Sequence, residues 1–236
     1  LNFKYEEETN SRHLDHVNIK IKRGQKIALI GESGSGKSTI LSVLRGLHVP
    51  QNGKVMYKGK EMNHGFARIK HNITLIPQDP EIFNNTIRFN VTMDLKSKKE
   101  ELSKSIKMAQ FEKVLNRLEK GLDTNVMEKG VSLSGGEKQR LALARGLLAA
   151  RDSDIILMDE PTSSVDSVNE IKIHENIFNE FKDKTIVSSI HRLNLLNKFE
   201  YIYMFENGKI IAEGTLKNIM KSPKFLKIWK KHMNKN

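Results

Sequence analysis

Gly31-Glu32-Ser33-Gly34-Ser35-Gly36-Lys37-Ser38 is the stretch on which the fold turns. It spells G-x-x-x-x-G-K-[ST], a loop whose backbone N–H groups point inward at phosphate oxygens. Glycine permits that curl, because a Cβ would crowd it. Lys37 supplies a point charge for β- and γ-phosphates, and the Ser38 hydroxyl is suited to Mg²⁺. The flanks agree. Lys26-Ile27-Ala28-Leu29-Ile30 reads as a short buried strand running into the loop, and Ile40, Leu41, Val43, Leu44 and Leu47 then recur at helical spacing. The loop therefore opens a helix whose N-terminal dipole faces the phosphates, the arrangement of a nucleotide site.

Ile155-Ile156-Leu157-Met158-Asp159-Glu160 is an apolar run that ends in two carboxylates. Such a run fits a fully buried strand of a parallel sheet, with the acids at its carboxyl end, where ligands of open α/β sheets bind. Side chains alternate along a strand, so Asp159 and Glu160 are expected to leave it in different directions. One can serve a metal while the other addresses an attacking water. A strand end carrying solvated acids is the plain alternative.

Between these elements lies Leu133-Ser134-Gly135-Gly136-Glu137, followed by Lys138-Gln139-Arg140. Ser134 is an N-cap candidate, and the two glycines allow close backbone approach at a helix start. That makes a second anion-binding helix terminus. One nucleotide does not need two phosphate cradles in a single fold, so the second is expected to serve a nucleotide bound by another copy.

A chain of 236 residues can bury a sizeable core as one domain with a subdomain. No stretch approaches the roughly 18–20 apolar residues of a membrane span. The start Leu1-Asn2-Phe3-Lys4-Tyr5 has neither an apolar signal region nor an initiating Met, which suggests a piece of a longer polypeptide. The absence of cysteine excludes disulfides and thiolate metal sites and fits a reducing cytosol. His13, His16, His48, His64, His71, His174 and His232 show no metal-ligand spacing. The net charge of +12 is concentrated in Lys96–Lys120 and in a tail where no acid follows Glu213. A solvated helix face explains such a tail; an anionic membrane surface and nucleic acid are the alternatives. Aromatics do not interleave the basic runs, so no stacking platform for single strands is evident.

Period and punctuation place the remaining elements. Strands are expected at Asn2–Tyr5, Asp15–Ile21 and Lys26–Ile30, and again within residues 53–62 and 73–77. From about Thr86 to Gly121 the pattern is helical and charged. Leu141, Leu143, Ala144, Leu147 and Leu148 mark another helix, and Thr185–Ile190 is strand-like. Tyr201–Phe205 and Lys209–Ala212 flank Asn207-Gly208, a hairpin signal, and Thr215 is a cap candidate for a final helix carrying the packing residues Phe225 and Trp229.

Taken together and in order, these motifs resemble the nucleotide-binding domain of an ATP-binding cassette (ABC) transporter, over essentially the whole chain. The resemblance implies an α/β fold: a P-loop NTPase core with a parallel sheet, an N-terminal antiparallel β subdomain and an inserted α-helical subdomain. The core would comprise residues 1–82 and 151–236, and the helical subdomain about 83–150. Gly31, Glu32, Ser33, Gly34, Ser35, Gly36, Lys37, Ser38 and Thr39 match the Walker A loop, and Gln78 matches the glutamine loop. Leu133–Glu137 match the signature LSGGQ, with Glu137 in place of the last Gln. Ile155–Glu160 match Walker B, Ser163-Ser164-Val165-Asp166 the D-loop, and His191 the switch histidine.

The implied cofactors are ATP and Mg²⁺. Ser38, Gln78 and Asp159 would hold the metal, Glu160 would polarise the attacking water, and His191 would orient Glu160 and the γ-phosphate. Ser134, Gly135 and Gly136 would close over the ATP of a second nucleotide-binding domain, in a homo- or heterodimer. Ile82-Phe83-Asn84-Asn85-Thr86-Ile87 is similar to the exporter pattern LFNDTI. Thr124-Asn125-Val126-Met127-Glu128-Lys129-Gly130 is similar to the exporter loop TEVGERG, with Asn125 and Met127 standing for its Glu and Gly. An exporter implies a transmembrane domain fused N-terminally, a place on the cytoplasmic face of a membrane, and no specific nucleic-acid partner. The alternatives are the separate ATPase subunit of an importer and a soluble ABC-type ATPase acting on nucleic acid or ribosomes.

Tyr5 matches the aromatic that stacks on adenine. Base–aromatic stacking is worth about 1–3 kcal/mol in nucleic-acid systems. Tyr5→Ala is expected to weaken ATP binding roughly ten- to hundredfold, and Tyr5→Trp to preserve it. Titration with a fluorescent ATP analogue labelled away from the base measures this, and equal affinity for all three forms removes Tyr5 from the site.

Overall fold

The computed structural model describes residues 1–3, 13–62, 65–127 and 132–233. In chain order the elements are β1 (Lys26–Ile30), α1 (Lys37–Arg45), β2 (Met56–Tyr57), β3 (Lys60–Glu61), β4 (Ile73–Ile76), α2 (Ile87–Thr92), α3 (Lys99–Met108), α4 (Glu112–Asn116), α5 (Gly135–Ala149), β5 (Ile155–Asp159), α6 (Ser167–Glu180), β6 (Thr185–Ser189), β7 (Tyr201–Glu206), β8 (Lys209–Gly214), α7 (Leu216–Ile219) and α8 (Pro223–Met233). They fall into two compact units. The first comprises Leu1–Leu75, Asp154–Asp159 and Asp183–Asn236, the second Ile76–Ser153 and Glu160–Lys182.

The first unit is built on a six-stranded sheet of order β4-β5-β6-β1-β7-β8. β1 lies parallel to both neighbours, with Leu29 opposite Ser189 of β6 and Tyr203 of β7. β5 continues the parallel set beside β6, and Asp159 stands opposite Ser189. Every residue of β1 and β6 is buried, which explains why, apart from Lys26, whose ammonium donates to the Gly24 and Lys184 carbonyls, their sequences are apolar or small on both faces rather than alternating. Ile40, Leu41, Val43 and Leu44 of α1 pack with Ile27, Leu29, Leu157, Val187 and Tyr203. Asn207 and Gly208, both at positive φ, turn β7 into the antiparallel β8, as the Asn-Gly pair requires.

The N-terminal antiparallel pairing is present as the short hairpin β2–β3 and as isolated bridges of Asn2 with Asn52 and Phe3 with Leu14. Asp15–Ile21 forms no strand, contrary to expectation. At Lys20 the backbone is satisfied by a side chain instead. The Lys20 N–H donates to the Tyr203 hydroxyl at 3.0 Å, and that hydroxyl donates back to the Lys20 carbonyl at 2.9 Å. Burial pushes the Tyr203 hydroxyl up to about 12, so it keeps the proton this bond needs. Thr215 differs as well. It precedes the short α7 and makes no side-chain cap, while the last helix, α8, buries Phe225 and stacks Trp229 on it.

The second unit is helical. α2 and α3 pack on α5, and α3 also meets α6. The interior carries one dense polar knot. Arg145 of α5 donates to the carbonyls of Asn90 and Glu81 and to the Asn90 side chain, while its guanidinium lies over the Phe83 ring. Asn90 in turn binds both backbone groups of Phe83. A half-buried arginine is tolerated because its donors are met.

Candidate functional site

The Gly31–Ser38 loop leaves the carboxyl end of β1. At Gly31 φ is +148°, and a Cβ there would lie 2.4 Å from the Phe205 carbonyl oxygen of β7 and 2.6 Å from Ser35 Oγ. Only glycine allows the loop to start this close to the neighbouring strand. Lys37 is buried, and its ammonium donates to the carbonyls of Gly31 at 2.9 Å and Glu32 at 3.0 Å. The charge is thereby held within the loop rather than in solvent. Ser35 Oγ is buried without a hydrogen-bond partner among the described residues. A buried charge and an unmatched hydroxyl inside a ring of backbone amides suit phosphate oxygens. Glu32, Ser33 and Gly34 are exposed at the loop tip; in the first turn of α1, Ser38 is exposed and Thr39 buried.

The neighbouring strands bring two more groups to the same end of this sheet. Asp159 closes β5, buried, and accepts the Ser189 hydroxyl proton at 2.6 Å. His191 follows β6 and is exposed, just after Ile190, whose N–H binds the Leu29 carbonyl of β1. The loop, Asp159 and His191 thus issue from the adjacent strands β1, β5 and β6 of one unit. Ser189 was not singled out by sequence; the only hint is the serine pair at the end of an apolar strand.

Glu160 corrects the strand-alternation expectation. β5 ends at Asp159, and Glu160 has φ +45°, in the left-handed region. The backbone turns there, so the direction of its side chain is set by that turn and not by a pleat. For a residue other than glycine this conformation is strained, and such strain gathers at functional positions.

Gln78 belongs to the second unit, two residues after β4, and is half-buried. Ser134 and Gly135 are exposed at the start of α5, and Gly136 is half-buried. Ser134 caps the helix: its Oγ accepts from the Glu137 N–H, and Glu137 Oε2 accepts the Ser134 N–H at 2.8 Å. Glu137, read only as a variant of the signature, therefore completes a capping box, a legible S-x-x-E signal. The amides of Gly135 and Gly136 have no acceptor within the helix, so this terminus can receive an anion. Asp166 caps α6 through the Asn169 N–H at 3.0 Å. Tyr5 and Glu128–Gly130 lie outside the described residues.

For a metal, the oxygen donors named by the sequence are the Ser38 hydroxyl, the Asp159 carboxylate and the Gln78 carbonyl. Among the described residues no group of three or more His, Asp or Glu side chains converges. Magnesium in phosphate chemistry needs none, since one or two protein oxygens act together with the phosphates and water.

The profile of the family described as ABC transporter matches residues 14–163. The chain is 36% identical over 217 residues to an ATP-dependent lipid A-core flippase of Pectobacterium atrosepticum, covering 91% of this chain and 37% of that protein. It is 34% identical over 210 residues to the flippase of the same description from Escherichia coli K12, covering 88% and 36%. A solved structure of a bacterial Atm1-family ABC exporter with ATP bound matches with a TM-score of 0.86 and 29% identity, over 98% of this chain and 40% of that one. The chain thus spans well under half the length of these relatives. Among the described residues no helix is long and apolar enough to cross a membrane.

The capping box generates a pH prediction. Burial pushes the Glu137 carboxyl up, but the Ser134 amide and hydroxyl and the Arg117 guanidinium at 2.8 Å outweigh it and hold the carboxyl below its usual range. The stabilisation is therefore complete above the unfolded value of about 4.3 and is lost as pH falls through the lower folded value. Glu137→Gln keeps the cap but not the charge. The unsubstituted chain should lead it by about 0.5–1 kcal/mol at pH 7, Arg117 being half exposed, with the lead shrinking as pH falls below about 4.3. Urea midpoints at pH 7 and through the acid range measure it; a lead that does not shrink in acid overturns the assignment.

Proposed function

This chain belongs to the ABC transporter family and is an ATP-binding, ATP-hydrolysing domain, and from that premise we propose that it is the motor of an exporter, working as a head-to-tail pair on the cytoplasmic face of a membrane. The observation that carries the chemistry is the delivery of the Gly31–Ser38 loop, Asp159 and His191 by three adjacent strands at one sheet end. The share of the relatives' length that the chain spans supports a fused transmembrane domain in the parent protein.

Hydrolysis by in-line attack of water on the γ-phosphate is mostly a matter of positioning and charge. The loop amides, Ser35 and Lys37 hold the phosphates. Ser38, Asp159 and Gln78 would hold Mg²⁺, which neutralises charge on the phosphate oxygens. Ser189 keeps Asp159 oriented through its hydrogen bond. Glu160 accepts the proton of the attacking water, and His191 hydrogen-bonds the γ-phosphate. The α5 start, with Ser134, Gly135 and Gly136, closes over the ATP of the other copy. That makes an isologous interface which ATP glues and hydrolysis reopens.

Glu160→Gln should retain Mg-ATP affinity, lose most turnover, and elute as a dimer on size exclusion in ATP. Retained turnover overturns the role of Glu160.

The pairing has its own test. If sites form only on association, specific activity rises with protein concentration over about a hundredfold range. Constant specific activity in a protein that stays monomeric throughout removes Ser134–Gly136 from the active site.

A further inference from the structure

Gln139 is a buried amide whose hydrogen bonds all go to one short loop. It lies one turn into α5. Its Nε2 donates to the Glu160 carbonyl at 3.2 Å and to Ser163 Oγ at 2.9 Å, and its Oε1 accepts the Ser164 N–H at 2.8 Å. The first turn of the same helix presses on the same loop: a Cβ on Gly136 would lie 2.5 Å from the Ser164 carbonyl oxygen. The start of α5 and residues 160–164 are therefore bonded through Gln139 and closely packed at Gly136.

A buried amide is costly unless its groups are met, and here both ends are met by the loop, which in turn has its Ser164 N–H satisfied. What the amide adds is direction. It binds the carbonyl of Glu160, the residue held at φ +45°. A left-handed glutamate persists only where its surroundings over-determine it, and Gln139 is one of the groups that do so.

We propose that Gln139 is a positioning residue that transmits the seating of the Ser134–Gly136 helix start to Glu160. This rests on the paired motor proposed above. In that pair the helix start meets the nucleotide of the other copy, while Glu160 serves the nucleotide of its own chain. α5 moves as one rigid helix, so a shift of its first turn carries Gln139 with it. The amide then sets the Glu160 backbone. Hydrolysis at one site thereby depends on whether the other is filled.

Two substitutions in the purified chain test it. Gln139→Met keeps the length and removes all three bonds. Gln139→Glu keeps an acceptor for the Ser164 N–H and replaces the donor facing the Glu160 carbonyl. Both should lower kcat about 10- to 100-fold, since small misplacements of a catalytic group cost that much. KM for ATP, and the ATP-driven association of each variant combined with Glu160→Gln, should stay within about twofold. Amide hydrogen exchange at Ser164 should quicken in Gln139→Met and not in Gln139→Glu. A purely structural role would lower the thermal midpoint and weaken association while leaving kcat per associated pair intact; that result overturns the proposal, as does unchanged exchange at Ser164. Failure of the unsubstituted chain to hydrolyse ATP counts against the paired motor instead. The Ser164 exchange is read without nucleotide, so it judges Gln139 in either case.

Discussion

The close approach of Gly31 to the Phe205 carbonyl is the constraint on which the nucleotide loop depends. β1 lies between β6 and β7, buried on both faces, and its exit must pass the backbone of β7 with no room for a side chain. That passage aims the loop at the sheet end where β5 and β6 also finish. Lys37 then folds back on the carbonyls of Gly31 and Glu32, so its ammonium is held against the loop's own backbone. The centre of the sheet supplies the rigidity, because β1 and β6 are buried along their whole length.

Within each unit, single polar side chains do the positioning. Ser189 holds Asp159, Ser134 and Glu137 hold the start of α5, and Arg145 with Asn90 holds the segment from Glu81 to Thr86. Apart from the exposed Ser134, each is buried or half-buried and hydrogen-bonded, which is the condition under which polar groups stiffen an interior instead of weakening it. Gln139 belongs with them. It differs in that its target, the Glu160 carbonyl, belongs to a residue in a strained conformation.

The ABC signature also acquires a second physical meaning. Gly135 and Gly136 offer bare amides to an anion, but Gly136 also gives way to the Ser164 carbonyl. A side chain at that position would push α5 from the 160–164 loop before it disturbed any ligand. The same helix start is therefore shaped by its own chain and, on the proposed pairing, by its partner's nucleotide.

Features that depend on neighbours along the chain are legible in the residues alone. The glycine loop, the apolar strand before it, the helix after it, the Asn207-Gly208 hairpin and the Ser134 cap are local chemistry, and composition and period reveal them. Tertiary structure decided what depends on residues far apart. Asp15–Ile21 has the composition of a strand, yet the Tyr203 hydroxyl satisfies Lys20, and a side chain 183 positions away leaves no trace in a local pattern. Asp159 and Glu160 read as an alternating pair until the backbone turns left-handed at Glu160, whose carbonyl is bound by Gln139 of α5. Ser189 meets Asp159 only because β5 and β6 pair in one register. Register and close approach are properties of the packed molecule, since they arise from which surfaces meet and not from what any one segment prefers.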